Sequence, residues 1–418
     1  MRKPVRPERL YLDFDGFFAS CEQLKHPHLR GKPVGIIPMP QGSTSIIACS
    51  REAKARGVSN VMPVREALNR CPDMILWPQD PNLYRRAHNE MISEIKRVAP
   101  VDAIKSIDEI TCKLDAVQQK NPEVVGLEIK RRIAAVVGKW ITCSIGYAAN
   151  RLLAKMACKA SKPSGNLVWW PDETDNLLRN STFDEVPGIG KSMKKRLWAA
   201  GIWDMDMLMN RPPRELRGLW RSVNGERMWY ALHGYDIQAQ PTRRGMYGHS
   251  RILPPSHRNL DPARDISRML LVKATRRMRR EGWRAGALYL GLYCITAHDA
   301  GKWSTWCRLP FLADYTGILN ALDSLWRQAR RELHAGQLVL RVDVTLGELR
   351  PIGMRQLDLL DNDDGLRKKE EAISDAMDSL HKRYGDTVLT NGLWCPPPGQ
   401  YAGAKIAFTR VPRAEDFV

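Results

Sequence analysis

The stretch LYLDFDGFFASCE, residues 10–22, constrains the fold of this chain more than any other segment. Its apolar residues alternate with polar ones that include Asp13 and Asp15. A period of two predicts a β-strand that carries both carboxylates on one face. Two aromatic residues, Phe17 and Phe18, follow the strand at once. The chain is therefore expected to begin with a strand that delivers an acidic pair to one place.

Two kinds of enzyme use an Asp-x-Asp pair at the end of a strand. In an aspartyl-phosphate phosphatase of the haloacid-dehalogenase type the first Asp is a nucleophile, whereas in a two-metal phosphoryl-transfer enzyme it holds divalent cations. The phosphatase usually has a small hydroxylated residue after Asp-x-Asp-Gly. Phe17 and Phe18 stand there instead and would crowd the phosphate pocket. The pattern therefore favours the two-metal enzyme.

A second acidic pair lies in AIKSIDEITCKLD, residues 103–115, which is again typical of a strand. Neighbouring side chains of a regular strand point to opposite faces, so Asp108 and Glu109 serve one site only if the chain bends there. A tight hairpin turn is the simplest such bend. Mg²⁺ prefers hard oxygen ligands such as carboxylates. The sequence thus predicts a site built from Asp13 and a hairpin that carries Asp108 and Glu109.

The charge of the chain points to its partners. A formal net charge of +19 over 418 residues favours a polyanion, nucleic acid first and an anionic membrane second. A surface charge that serves only solubility is the plain alternative. No apolar run approaches about 18 residues, and the basic N-terminus meets acidic residues before any signal-like segment, so no membrane partner is expected. The nine cysteines are scattered, which argues against zinc or disulfides and for a reducing, cytoplasmic location.

The texture of the sequence changes along the chain. Alternating strand and helix patterns up to residue 165 predict an α/β or α+β unit. A helical region follows, with VPGIGKSMKKRLWAAG at residues 186–201. A basic, Gly-containing linker leads to residues 246–350, where strands and helices mix again. The last 68 residues contain a charged helix and a Pro/Gly-rich end.

Four segments occur in the order and at the separations of one family's motifs, and they cover most of residues 8–350. They are LDFDGFFASCE, SIDEI, CSIGYAANRLLAKMACKASKPSGN, and VPGIG followed by a basic helix. Together they resemble the Y-family (DinB/UmuC-type) translesion DNA polymerases, in a bacterial form. The resemblance implies an α+β multidomain, right-handed polymerase with a palm (1–22 and 75–165), fingers (23–74), a helical thumb with a helix-hairpin-helix (166–238), a linker (239–248), an α/β little finger (249–350) and a C-terminal tail (351–418).

The resemblance also implies the reaction and its metal site. Asp13, Asp108 and Glu109 match the catalytic, metal-binding carboxylates, with the Phe14 carbonyl as a further ligand. The cofactor expected from it is a pair of Mg²⁺ ions, with Mn²⁺ as a substitute. Asp15 has no certain place in that set, and we expect it to make local hydrogen bonds near the turn.

Other residues match the nucleotide-binding positions of the family. Phe18 stands at the steric gate, where an aromatic ring leaves no room for a 2′-hydroxyl, and Phe17 is either a nucleotide contact or a core side chain. The family's S-Y-E-A-[RK] motif appears as SREAK, so Arg51 replaces a Tyr and Lys54 keeps a basic residue. Arg151 likewise replaces a Lys. We expect these three cations to contact the triphosphate, although Arg51 also suits an ordinary basic helix surface.

Several residues are expected to hold DNA through its phosphates, without reading sequence. Glycines in VPGIGK allow a tight turn at a helix start, where exposed N–H groups suit a phosphate. A later helix is rich in Lys and Arg without evident compensating acids. The DNA-binding candidates are Gly188, Gly190, Lys191, Lys194, Ser250, Arg251, Lys273, Arg276 and Arg277.

The tail carries a short motif, QLDLL, that resembles the bacterial sliding-clamp-binding consensus Q-L-[SD]-L-F. Its candidate contacts are Gln356, Leu357, Leu359 and Leu360. Tethering to a clamp raises the effective concentration of an enzyme on DNA. An ordinary piece of helix or strand is the alternative.

The expected function is that of a template-directed DNA polymerase, which adds deoxynucleotides to a primer 3′ end and tolerates damaged bases. Its partners would be primer-template DNA, deoxynucleoside triphosphates and the sliding clamp. Two other classes stay open: a non-catalytic clamp- and DNA-binding scaffold of the same family, and a structural DNA-binding protein that uses only the helix-hairpin-helix.

Overall fold

The described residues form two compact units, one that ends at residue 237 and one that begins at residue 244. The computed structural model describes residues 1–38, 45–237, 244–295, 300–333, 336–354, 364–384 and 388–390. Within that part both units combine helices with sheets, so the prediction of an α+β, multidomain fold is confirmed. None of the described helices is both long enough and apolar enough to span a bilayer.

The first unit contains eight strands and eleven α-helices in its described residues. In chain order they are β1 (Arg9–Phe14), α1 (Phe17–Lys25), β2 (Val34–Ile37), β3 (Ala48–Cys49), α2 (Arg51–Ala55), α3 (Val64–Arg70), β4 (Ile75–Pro78), α4 (Pro81–Lys96), β5 (Val101–Ile104), β6 (Glu109–Lys113), α5 (Pro122–Val136), β7 (Cys143–Ala148), α6 (Arg151–Ala160), β8 (Asn166–Val168), α7 (Thr174–Arg179), α8 (Lys191–Ala199), α9 (Met205–Met209), α10 (Pro213–Trp220) and α11 (Val223–Leu232).

The main sheet of this unit places β1 at its centre. The strand order is β5-β6-β1-β7-β8, and β1 runs antiparallel to both of its neighbours. Leu10, Leu12 and Phe14 of β1 are almost fully buried in the core, as the alternating pattern predicted. The central position of β1 fixes the residues at its end relative to both β6 and β7.

A smaller sheet, in the order β3-β2-β4, lies in the region predicted as fingers. It encloses a separate apolar cluster that includes Ile46, Ala53 and Met74. The helices α7–α11 form the region predicted as the thumb, and their apolar faces join a third cluster with side chains of α6. Asn150, which precedes α6, connects that helix to the region predicted as the thumb, because its amide donates to the Ala231 and Tyr235 carbonyls at 2.7 and 3.0 Å.

The second unit is a sheet with helices on one face. Its elements are β9 (Tyr247–Ile252), α12 (Leu260–Arg280), β10 (Trp283–Ile295), β11 (Ala300–Leu312), α13 (Tyr315–Glu332), β12 (Leu338–Gly347), β13 (Arg350–Pro351) and α14 (Asp364–Tyr384). The antiparallel strand order is β11-β10-β12-β9, with β13 beside the start of β10. Leu288, Leu290 and Leu292 of β10 pack into one core with α12 and α13.

The last helix, α14, packs its acidic side chains against α12 and its neighbours. Asp378 accepts a hydrogen bond from Arg279 at 2.7 Å, and Asp375 pairs with the same guanidinium. Glu371 receives both terminal nitrogens of Arg284, whose side chain is only 8% exposed. The sequence-based expectation that the basic helix lacks compensating acids is therefore wrong for Arg279, and the acids come from about 100 residues further along the chain.

Two predicted features fall outside the described residues. The clamp-like motif with Gln356, Leu357, Leu359 and Leu360 lies there, and so does the first half of the predicted linker (239–248), residues 239–243.

Candidate active site

The strand register brings two of the three candidate carboxylates together. Asp13, near the end of β1, stands directly opposite Glu109, the first residue of β6. The Phe14 amide donates to the Asp108 carbonyl at 3.0 Å, which fixes Asp108 beside the same strand end. Residues 13, 108 and 109 are distant in sequence, but they lie together in the main sheet, where β1 ends and β6 begins.

The bend that Asp108 and Glu109 require is present. β5 and β6 form an antiparallel hairpin, in which the Lys105 amide donates to the Glu109 carbonyl at 2.9 Å. Ser106 stabilises the turn, because its hydroxyl accepts from the Glu109 amide at 3.0 Å and donates to the Asp108 carboxylate. The hairpin predicted from spacing alone is confirmed.

Two lysines contact these carboxylates, and the sequence analysis did not single them out. Lys155 of α6 donates to Glu109 at 2.6 Å, and Lys162 donates to Asp13 at 2.5 Å. Both lie in the segment CSIGYAANRLLAKMACKASKPSGN, so their place in that motif was the available signal. The hairpin supplies a further cation, Lys105, whose pKa is lowered by partial burial and by the nearby Arg151. The site is thus an acidic centre with cations around it.

The carboxyl group of Asp13 has a raised pKa. Its pKa is raised to about 6, mainly by burial. Lys162 acts in the opposite direction, while the like charges of Asp108 and Glu109 raise the pKa further. Carboxylates crowded in this way are stabilised by any cation that comes between them.

Hard divalent cations suit this set of carboxylate donors, but in this structure two of the carboxylates accept hydrogen bonds from lysines. Among the described residues no three His, Cys, Asp or Glu side chains are gathered closely enough to bind a metal ion as they stand. Glu109 and Asp13 instead use oxygens to accept from Lys155 and Lys162. Oxygen ligands from two adjacent strands are the kind that Mg²⁺ takes. The residues therefore fit divalent cations if the two ammonium groups move aside.

Asp15 has a structural role, as expected. Its carboxylate accepts from the Thr142 hydroxyl, the Ser144 hydroxyl and the Ser164 amide, each at 2.9 Å. These bonds satisfy a side chain that is 4% exposed. They join the end of β1 to β7 and to the loop after α6, which carries Lys162. Asp15 is therefore hydrogen-bonded, as predicted, but the prediction that its bonds are local is wrong, because the partners of its carboxylate come from distant segments.

The turn between β1 and α1 positions the aromatic pair Phe17 and Phe18 at the start of α1. Gly16 has φ of +56°, and a Cβ there would lie 3.1 Å from the Cys49 carbonyl oxygen, so the turn favours glycine. Phe17 is 3% exposed and packs in the core with Phe14, which fits the core alternative. Phe18 is 5% exposed and stacks on Tyr84 of α4, with ring centroids 4.4 Å apart and planes 18° apart.

Two of the three candidate triphosphate cations, Arg51 and Arg151, lie at helix starts, and Lys54 lies in the last turn of α2. Arg51 is the first residue of α2, which is capped by the Ser50 hydroxyl, and both Arg51 and Lys54 are exposed. Arg151 is the first residue of α6, where Asn150 caps the helix by accepting from the Leu153 amide at 3.0 Å. Arg151 is close enough to Lys105 to lower its pKa, so it belongs to the surroundings of the carboxylates.

The helix-hairpin-helix candidates lie before and within α8. Gly188 has φ of +99°, and Gly190 is the N-cap of the helix. Lys191 is exposed at the first turn. Lys194 donates to Asp184 at 2.7 Å and lies 5.4 Å from the Trp198 ring centroid, so an internal carboxylate already neutralises it in part.

The candidates of the second unit divide between its two faces. Ser250 is exposed on β9, whereas burial lowers the pKa of Arg251. On α12, Arg276 donates to His381 of α14 at 2.8 Å and lies 3.8 Å from Asp378. Arg277 contacts His249 at 3.1 Å, and Lys273 is half-buried. The premise that Arg276 lacks an acidic neighbour is wrong, because α14 supplies one.

The open face of the second sheet is a nucleic-acid candidate that the sequence analysis missed. Tyr289 and Trp306 pair across β10 and β11 and stack with centroids 5.8 Å apart, and they are 40% and 50% exposed. Two exposed cations, Lys302 and Arg308, share their face in the register, and a third, Arg341, donates to Asp343 of the same face at 2.8 Å. Aromatic rings among cations suit nucleic acid. Alternation in β11 was the available signal.

Comparisons with known proteins agree with the fold. The sequence profile of the impB/mucB/samB family matches residues 12–159, and the profile of that family's C-terminal domain matches residues 244–359. The protein named DNA polymerase IV of Oceanobacillus iheyensis is 29% identical over 392 residues, which cover 91% of this chain and 90% of the relative. The protein of the same name from Methanoculleus marisnigri is 32% identical over 247 residues, 58% of this chain and 68% of the relative.

Solved structures give the same picture at lower sequence identity. A Y-family DNA polymerase chimera of Dbh and Dpo4 superposes with a TM-score of 0.67 at 23% identity, covering 81% of this chain and 98% of that chain. A Dbh ternary complex superposes with a TM-score of 0.54 at the same identity and coverage.

Proposed function

Since this chain belongs to the Y-family of DNA polymerases, as a DinB-type member of the impB/mucB/samB family, we propose that it is a template-directed DNA polymerase. It adds deoxynucleotides to a primer 3′ end and extends primers past damaged bases. The observation that carries the proposal is that Asp13, Asp108 and Glu109 lie together where β1 ends and β6 begins.

The proposed cofactor is a pair of Mg²⁺ ions, for which Mn²⁺ substitutes. Asp13, Asp108, Glu109 and the Phe14 carbonyl would hold them. Bound there, such ions activate the primer 3′-hydroxyl and stabilise the leaving pyrophosphate. The chain itself contributes the fixed carboxylates and their hairpin, so little reorganisation is needed at the moment of reaction.

Lys155 and Lys162 would serve the triphosphate. While Glu109 and Asp13 accept from the two ammonium groups, two of the three carboxylate charges of the site are compensated without substrate. With divalent cations bound to the carboxylates, Lys155 and Lys162 would be able to turn toward the roughly four negative charges of the incoming nucleotide. Arg51, Lys54 and Arg151 are the proposed further contacts, and an Arg can bind phosphate through two donors at once.

We propose that Phe18 is the steric gate against ribonucleotides. Its ring is packed on Tyr84 and is therefore held in one orientation. A rigid ring excludes the additional 2′-hydroxyl by a clash. Phe17, which packs behind it in the core, supports this arrangement.

DNA would be held at two places. Gly188, Gly190 and Lys191 offer backbone N–H groups and charge at the start of α8. In the second unit Ser250 shares the open sheet face with Trp306 and Arg308. These three residues are better candidates for DNA contacts than the α12 cations Lys273, Arg276 and Arg277. These contacts would position the duplex without reading its sequence.

A primer-extension assay tests the proposed function. The purified protein, with Mg²⁺ and the four deoxynucleotides, is expected to copy an undamaged template and a template with an abasic site. Failure to extend either primer, by a protein that still binds the duplex, would favour the scaffold. The intact carboxylate set argues against that scaffold, and DNA binding by α8 alone would leave the set without a purpose.

We also propose that Gln356, Leu357, Leu359 and Leu360 bind a bacterial sliding clamp. Replacing Gln356 and Leu359 with Ala is expected to abolish clamp stimulation of primer extension and to leave basal synthesis intact, because the anchor and one apolar contact are lost. Leu366→Ala, at an exposed position of α14, is a matched control. Clamp stimulation that survives the double substitution would contradict the motif.

A cytoplasmic location is part of the same proposal. It is supported by the eight cysteines of the described residues, which are all unpaired. Free thiols persist in a reducing compartment, where the DNA substrate of a bacterial enzyme also lies.

A further inference from the structure

Glu22 is a buried carboxylate one turn away from the proposed steric gate. It follows Phe18 by four residues on α1, so the two side chains share a face of the helix. Glu22 is 1% exposed, and burial raises its pKa. A carboxylate in such a place is costly unless hydrogen bonds compensate it, and the proposed reaction gives it no direct task.

Two donors from other elements meet this carboxylate. The Tyr84 hydroxyl of α4 donates to one oxygen at 2.8 Å, and the Trp77 indole of β4 donates to the other at 3.1 Å. The His26 ring lies 3.6 Å from the second oxygen. Glu22 therefore joins α1, β4 and α4 at one buried point.

The Tyr84 ring carries this connection to the gate. It is fully buried, and it stacks on Phe18 with centroids 4.4 Å apart and planes 18° apart. Phe17 contacts the same ring from the side, at 6.4 Å and 58°. The hydroxyl bond to Glu22 fixes the polar end of a ring whose flat face supports Phe18.

We propose that Glu22 is a positioning residue for sugar selection, which acts through Tyr84 on Phe18. A gate works by a clash, and a clash discriminates only if the ring cannot yield. Glu22 provides that rigidity because its two oxygens accept from two donors at once. The inference rests on the proposed function, since it requires Phe18 to be the gate.

Glu22→Gln tests the role with little change in shape. Tyr84 and Trp77 donate to different oxygens of Glu22, whereas an amide offers an acceptor on one side only, so at least one of the two charge-assisted bonds is lost or replaced by a weaker neutral bond to the NH₂ group. We expect discrimination between deoxy- and ribonucleotides, as the ratio of kcat/KM values, to fall roughly tenfold, the size of effect of one lost bond to a charged acceptor. Glu90→Gln, an exposed substitution on α4, should leave the ratio unchanged.

A rescue separates positioning from mere stability. Trp77→Phe in the Glu22→Gln background removes the competing donor and lets the amide oxygen accept from Tyr84, so the ratio should recover. A merely structural defect would lower incorporation of both sugars by the same factor and leave the ratio as it was. If Glu22→Gln fails to fold, Tyr84→Phe decides, because it keeps the ring and removes the bond; it should weaken discrimination in the same way.

Two outcomes would overturn the inference in different ways. A folded Glu22→Gln or Tyr84→Phe protein with full discrimination, beside a Phe18→Ala protein that has lost it, would remove Glu22 from the role. Unchanged discrimination in Phe18→Ala as well would show that the gate itself is wrong. Absence of primer extension by the unsubstituted protein would instead contradict the proposed function.

Discussion

Asp108→Asn is expected to reduce primer extension by roughly a thousandfold or more, since metal stabilisation of the transition state is worth several kcal/mol. The substitution keeps the size of the side chain but removes its charge. The hairpin turn should survive, because the Ser106 hydroxyl still accepts from the Glu109 amide. Single-nucleotide incorporation at saturating Mg²⁺ and nucleotide measures the effect.

Glu90→Gln is again a suitable control, because it removes an exposed carboxylate of the same unit. It should extend primers at the normal rate. Duplex binding by Asp108→Asn, measured by fluorescence anisotropy, should be nearly unchanged, so that the loss is chemical. Robust extension by Asp108→Asn would show that the carboxylates of the hairpin do not carry the reaction.

Phe18→Ala is expected to lower discrimination against ribonucleotides by about a hundredfold, because the ring that would meet the 2′-hydroxyl is gone. Deoxynucleotide incorporation should fall less, since the sugar loses a contact but gains no clash. Steady-state incorporation of matched deoxy- and ribonucleotides opposite one template base gives the ratio directly.

Removing a buried ring also costs about 3–5 kcal/mol of stability, so a control must share that cost. Phe183→Ala deletes an equally buried ring in the helical region around α8. It should destabilise the protein to a similar extent and leave the sugar ratio unaltered. A Phe18→Ala protein that rejects ribonucleotides as before would exclude this ring as the gate.

The centre of the site was predictable because it follows from short-range geometry. A period of two placed Asp13 at a strand end, and the adjacent pair Asp108-Glu109 required a bend. Both features depend on residues close in sequence, and the hairpin is the bend that places Asp108 and Glu109 in one site. For Asp15 only the presence of hydrogen bonds was predictable, because its partners Thr142, Ser144 and Ser164 come from distant segments.

The features that escaped depend on contacts between distant segments. Nothing in the pattern around Arg279 shows that Asp375 and Asp378 will neutralise it, because that pairing forms only when α14 packs on α12. The exposure of Trp306 likewise depends on which face of the sheet the helices cover. Lys155 and Lys162 lay within a recognised motif, but their contact with carboxylates required the tertiary structure.

The central claim is that three carboxylates hold two divalent cations, and metal positions test it most directly. Crystals of the protein with primer-template DNA, a non-hydrolysable deoxynucleotide and Mn²⁺ would give them by anomalous diffraction. We predict two peaks about 4 Å apart, in contact with Asp13, Asp108 and Glu109, with Lys155 and Lys162 turned toward the triphosphate. Peaks elsewhere, or both lysines still paired with Glu109 and Asp13 beside a bound nucleotide, would contradict the account.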